Sequence, residues 1–262
     1  MLRRALFVSA GLVASISVGY TVGASPGDVQ GACAAAFKGQ VCTWANMTGK
    51  TLQEAGAVIP FASIANAPTD QPMIWPPAPV AALDMPDAVR QQGGLTRLTM
   101  FWEAEGHPPG AFMTPHFDFH FYTITAAAIG AIDCKDERKP TALPAAFGLP
   151  DILLPPDMAH MAGVPTLVGL CVPKMGMHAI LTSEIERADA FNGTMVIGYY
   201  KGQVIFIEPM VSKLTLMKKA SFDLAMPKVP GLVGPHPTVF HAQFDAAQQA
   251  YRFAFSGFVP AS

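Results

Sequence analysis

The chain has 262 residues, 51% of them hydrophobic and only 14% charged, with a formal net charge of −2. That length and apolar content exclude a disordered chain and suit one domain or two small ones. The near-neutral charge, without clustered Lys and Arg, excludes nucleic acid as a partner held by phosphate contacts, and so few charges on so much apolar sequence predict large buried surfaces, internal or between subunits, so a homo-oligomer is expected.

Arg3 and Arg4 precede an apolar run from Ala5 to Val18, and Thr21-Val22-Gly23-Ala24 supplies small or β-branched residues before Ser25. This is the pattern of a secretory signal peptide over residues 1–24, cleaved to leave residues 25–262 as a single metal-binding, β-rich domain. The run is shorter than the ~20 residues that cross a bilayer, so the expected location is extracytoplasmic, periplasmic or secreted, without stable membrane insertion after cleavage. The arginine pair also admits twin-arginine export, although Leu2 stands where that signal carries Ser or Thr.

Cys33, Cys42, Cys134 and Cys171 all follow the signal. In an oxidising compartment they are expected as disulfides, with three pairings open; Cys33–Cys42 and Cys134–Cys171 are favoured because both pairs lie beside loop-like sequence. Residues 58–87 carry seven prolines and are expected as an extended loop without helix or central strand, seating Trp75 in an apolar slot. Asp87–Gln92 reads as a short helix ended by Gly93-Gly94. Leu95–Glu103 reads as a strand with Leu98, Met100 and Trp102 on one side, and His116–Ile124 as a second. Residues 138–173 return to proline-rich loop with a short helix near Asp157. A helix starting at Thr182 or Ser183 is predicted through Ala188. Thr194–Tyr200 and Val204–Ile207 form a hairpin, Leu214–Met217 a possible strand, Asp245–Ala250 a helix, and Tyr251–Phe258 the last strand. The predicted fold is therefore mainly β (α+β), a β-sheet core with short helices and long proline-rich loops.

The chemistry concentrates in Pro115-His116-Phe117-Asp118-Phe119-His120-Phe121-Tyr122. On a strand, alternation puts Phe117, Phe119 and Phe121 on one face and His116, Asp118, His120 and Tyr122 on the other. Two histidines and a carboxylate are a ligand set for a divalent metal ion, zinc first, with iron or manganese as alternatives. Same-face neighbours lie ~6.6 Å apart and His116 and His120 ~13 Å apart, so Asp118 with one histidine is the easier pair. More distant ligands are His178, after the turn Pro173 to Met177, and Glu208, at the end of an apolar strand before Pro209. His107, held by two prolines, and Tyr122 are candidates to orient a ligand from behind. His160, His236 and His241 are expected as surface or hydrogen-bonding histidines. The methionines Met158, Met161, Met175 and Met177 are expected as core more than as copper ligands.

Gly106 to Gly110, the histidine block at 115–122, Pro173 to His178 and Tyr199 to Pro209 resemble the signature blocks of an uncharacterised family of exported bacterial domains. That family's structural representative, from a thermophile, is a ring-shaped homo-oligomer. The resemblance covers about residues 95–258 and implies oligomerisation, without an activity.

Three functions follow from these residues. The first is a metal-dependent hydrolase of a small-molecule substrate, with His116, Asp118, His120, His178 and Glu208 as ligands and whichever of Asp118 or Glu208 is left free as proton acceptor. The second is a non-catalytic oligomeric envelope or binding protein whose ion is structural or absent. The third is a non-haem iron oxygenase, in which His116, Asp118 and His178 have the order of the two-histidine-one-carboxylate triad and Arg187 stands where the 2-oxoglutarate enzymes place a carboxylate-binding arginine.

Overall fold

The computed structural model describes residues 26–72, 74–187, 189–232 and 234–259; the signal peptide read from residues 1–24 lies outside them. Three long strands come first, β1 (Asp28–Ala36), β2 (Gly39–Thr48) and β3 (Thr51–Pro60), then helix α1 (Phe61–Ala65). They are followed by β4 (Ala81–Asp84), α2 (Asp87–Gln92), β5 (Arg97–Glu103), β6 (His116–Tyr122) and α3 (Ala126–Gly130). The proline-rich middle holds β7 (Phe147–Gly148), β8 (Ile152–Leu153), α4 (Pro156–Ala162) and β9 (Thr166–Leu167). Next come β10 (Met177–Leu181), α5 (Thr182–Ile185), β11 (Gly193–Tyr200) and β12 (Gln203–Ser212). The described chain closes with α6 (Lys213–Met217), β13 (Phe222–Asp223), β14 (Val239–Asp245) and β15 (Ala250–Ser256).

These strands form a six-stranded sheet in the order β1-β2-β3-β15-β14-β13 and a seven-stranded sheet in the order β4-β5-β6-β12-β11-β10-β7, with β8 and β9 paired apart. Every pairing is antiparallel, and the fold is mainly β with short helices, as the sequence pattern predicts. The two large sheets pack face to face through aromatic side chains. Phe119 of β6 meets Phe253 of β15 with ring centroids 4.8 Å apart, and Phe121 meets Phe255 at 4.9 Å. Leu98, Met100, Phe117, Ile197 and Ile207 join the same core from the seven-stranded sheet, and Ala45, Ala57, Ile59 and Tyr251 join it from the other. Such edge-to-face rings and close packing are the main stabilisation available to this interface.

Several boundaries differ from expectation for identifiable reasons. β3 is a central strand that runs into the proline-rich stretch and ends at Pro60, so the missing N–H falls at its last residue. Helix α1 and strand β4 then fit between prolines, in stretches expected to be loop. Trp75 does pack as expected, against Val172, Met175 and the small cluster around Met158. Helix α5 starts at Thr182 without a side-chain cap and stops at Ile185. Leu214–Met217 is part of helix α6, capped by the Ser212 hydroxyl, not a strand. Asp245–Ala250, predicted helical, is instead a turn between β14 and β15. β12 continues through Pro209 to Ser212: it pairs Ile207 with Phe121 and Met210 with Asp118, leaving Glu208 and Pro209 out of the ladder to β6.

Both expected disulfides are present. Cys33 and Cys42 are direct cross-strand partners, and Cys134–Cys171 joins two loops. No described cysteine is free, which suits an oxidising compartment, and no helix of the described residues is long and apolar enough to cross a membrane.

Because Phe119 is fully buried between the sheets, Phe119→Ala is expected to cost about 3–5 kcal/mol. Denaturant unfolding of the variant beside the wild type measures it.

Candidate metal centre

The face of β6 opposite the phenylalanines is also buried: His116, Asp118, His120 and Tyr122 are all nearly inaccessible. Loops cover it, so the polar face lines an internal pocket instead of facing solvent. Cross-strand pairing decides what stands beside each residue. Glu103 of β5 is opposite His116, Phe101 is opposite Asp118, and Met210 of β12 pairs Asp118 on its other side. The register on either side of the interruption in β12 places Glu208 across from His120. His178 enters from β10, and His107 from the loop before the short 3₁₀ turn Gly110–Phe112.

The side chains fall into two groups of three, His107 with His116 and Asp118, and His120 with His178 and Glu208. Within each group one ligand atom per residue lies within 4.8 Å of the others. His116 Nε2 is 3.2 Å from Asp118 Oδ1, and His120 Nε2 is 3.4 Å from Glu208 Oε1. The sequence left open which histidine Asp118 would accompany; the structure joins it to His116, and His120 to Glu208. His107, expected behind a ligand, stands among the candidate ligands themselves. Tyr122 does sit behind His120, as expected.

All four imidazoles are fixed by the nitrogen that points away from these groups. His107 Nδ1 is 2.8 Å from the Pro108 carbonyl, His116 Nδ1 2.7 Å from that of Thr114, and His178 Nδ1 2.9 Å from that of Leu170. A carbonyl only accepts, so in each ring Nδ1 carries the proton and Nε2 is the nitrogen free to ligate. His120 Nδ1 lies 3.1 Å from the Tyr122 hydroxyl, which donates to the Lys174 carbonyl and therefore accepts from the ring. This is the arrangement that orients histidine ligands in metal sites. The inward atoms lack such partners: His116 Nε2, Asp118 Oδ1 and Glu208 Oε2 are buried without a hydrogen bond, since the His116–Asp118 approach is close but poorly aligned. Uncompensated buried polar atoms are costly, and a cation is the partner that all three would accept.

The floor of the site is aromatic. The Phe206 ring stacks on His120 at 4.4 Å with an interplanar angle of 11° and lies 5.2 Å from His178. It can lie flat there only because its neighbour on β11 is Gly198, where a Cβ would sit 2.1 Å from the ring.

Electrostatics follow from this burial. Loss of solvent pushes His120 down to about 4, with Asp118 opposing, and pushes His107 to about 4, aided by His116; His178 is lowered by burial as well. Burial, reinforced by Asp118, raises both Glu103 and Glu208 to about 8. Burial also opposes charge on Asp118 and His116, but their mutual attraction outweighs it, carrying Asp118 down to about 2 and His116 upward. Without an ion the site is thus a set of neutral imidazoles and protonated glutamates around one His116–Asp118 ion pair.

Sequence reasoning missed Glu103, whose signal was its alternation with Thr99 and Phe101, away from the core-facing Leu98, Met100 and Trp102. His160 is exposed, half-buried His241 is bonded to Asp223, and His236 bonds the Gly234 carbonyl, all outside the site as expected. Arg187 pairs with Glu184 at 3.3 Å and does not line the pocket, so the iron-oxygenase reading lacks its arginine. Comparison with protein-family models, curated proteins and solved structures finds no match.

Two outcomes follow. The buried histidines with lowered pKa values cost stability only as pH falls below about 6.5, their unfolded value. Glu103 and Glu208, raised to about 8, stabilise the ion-free protein at low pH and lose that contribution progressively as pH rises from their unfolded range to about 8; His116, also raised, acts in the same direction. Melting of chelator-treated protein should therefore fall between pH 6.5 and 8.5, and added zinc should raise it most at the upper end. Gly198→Ala should displace the Phe206 ring and weaken zinc binding while the sheet stays folded, read by zinc titration alongside circular dichroism.

Proposed function

We propose that this is an extracytoplasmic metal-dependent hydrolase, exported by its amino-terminal signal, with a zinc-class ion held by His120, His178 and Glu208. The observation that carries the reading is the outward tethering of Nδ1 on His120 and His178, which leaves two Nε2 atoms and a carboxylate converging in a buried site. Two histidines and a glutamate leave a tetrahedral ion one open position, the mark of a catalytic site over a closed structural one. An ion there would lower the pKa of its water toward neutrality and polarise a substrate oxygen. Glu103 lines the same pocket beside His116 and is in neither histidine group, so it joins Asp118 as a carboxyl available to take a proton from that water. With Glu208 taken up as a ligand, Asp118 is the one of the expected pair left free for that role.

The pocket also supports a substrate class. Its walls are Trp75, Leu170, Val172, Met175, Ile180 and Met210, with no lysine or arginine among the lining residues. Such walls favour a substrate with an apolar substituent, for which an ester or an amide is the class to test first.

Elemental analysis of purified mature protein offered zinc, iron and manganese, followed by assay on apolar ester and amide panels, tests this. Wild type should bind zinc and hydrolyse members of the panel, lose activity to chelator and regain it with zinc. His178→Ala should fold, bind zinc at this centre about a hundredfold or more weakly and lose activity, whereas His236→Ala should match wild type. Wild type that holds no ion would refute the reading; ion without hydrolysis would favour a binding or envelope protein.

A further inference from the structure

We infer that the pocket takes a second divalent cation, held by His107, His116 and Asp118; the inference rests on the metal-centre reading of the same pocket. The first ion cannot serve this group. His116 and His120 lie four residues apart on one strand face, about 13 Å along it, and their Nε2 atoms aim at different carboxylates, Asp118 and Glu208. The second group also has the stronger unmet demand. His116 is fully buried and Asp118 5% exposed, and the facing atoms Nε2 and Oδ1, 3.2 Å apart, have only each other, without a hydrogen bond to any other group.

The third ligand is placed by its loop. The His107 backbone N–H donates to the Phe112 carbonyl at 3.1 Å, its Nδ1 is taken by the Pro108 carbonyl, and its ring lies edge-on to His116 at 4.9 Å. Gly106 makes that path possible: it has φ +73° and a Cβ would fall 2.1 Å from the Phe112 carbonyl oxygen. A residue held this firmly from the rear, with Nε2 left over, is built as a ligand and not as a support for one. Charge balance agrees. Glu103, Asp118 and Glu208 all line the one pocket, and as three anions they would repel; two dications supply the countercharge. Nitrogen-rich ligand sets with one carboxylate suit zinc, iron or manganese in both positions.

The test is stoichiometry. Mature protein stripped with chelator is titrated with zinc and read by native mass spectrometry, with circular dichroism confirming the fold. Wild type should hold two zinc ions per chain. His107→Ala and the milder His107→Gln should each hold one, His178→Ala should hold one, and the His107→Ala/His178→Ala double variant none. A single ion in wild type that survives His107→Ala overturns the second site and leaves the proposed hydrolytic centre standing. A single ion lost on either substitution means one shared site and also overturns it. No ion in wild type defeats both readings together.

Discussion

The molecule is organised by the burial of both faces of one strand. β6 puts phenylalanines into the sandwich core and imidazoles and a carboxylate into the pocket, and both sides are nearly inaccessible to solvent. A buried polar face is tolerable only if every donor and acceptor is satisfied or neutralised. The outward nitrogens meet that demand from within the protein, and the inward ones do not. The loops that cover the pocket supply the carbonyls of Pro108, Thr114, Leu170 and Lys174, and so exist in part to hold imidazoles at fixed angles.

The same strand explains why the site is rigid. Successive positions on β6 alternate between core and pocket, so a displacement of His120 would pull its neighbours Phe119 and Phe121 out of their contacts with Phe253 and Phe255. Ligands carried on strands inherit the precision of the core. Strand β12 contributes in the opposite sense: with Glu208 and Pro209 out of the ladder to β6, the carboxylate is freed from strict pairing just where it must approach His120.

The parts of this arrangement legible in the sequence are those governed by local period. Alternation over residues 115–122 separates core from chemistry, and the hairpin around Lys201-Gly202 and the helix at Asp87 follow from turn and cap residues. What was hidden depends on register or on weak side-chain signals. The strands β1 to β3 are rich in Ala and Gly, small residues that carry little β preference, and they form through pairing and burial against the other sheet. Pro209 suggested a strand end because its missing N–H is normally incompatible with a central strand; the interrupted ladder accommodates it. Glu103 and His107 could not be joined to His116 without knowing that β5 pairs β6 in the register that sets Glu103 beside it, or how the Gly106 turn returns toward Phe112.

The bond between Cys134 and Cys171 has a consequence for the order of maturation. Cys171 directly follows Leu170, whose carbonyl fixes His178, and it lies three residues before Lys174, whose carbonyl fixes the Tyr122 hydroxyl behind His120. Until the thiols are oxidised, this segment has its backbone hydrogen bonds, among them Lys174 N–H to the Ile132 carbonyl, but no covalent tether, and the two imidazoles it positions are less firmly set. On the proposed metal-centre reading, high-affinity loading would follow oxidation, and the chain would acquire its ion where the disulfide forms.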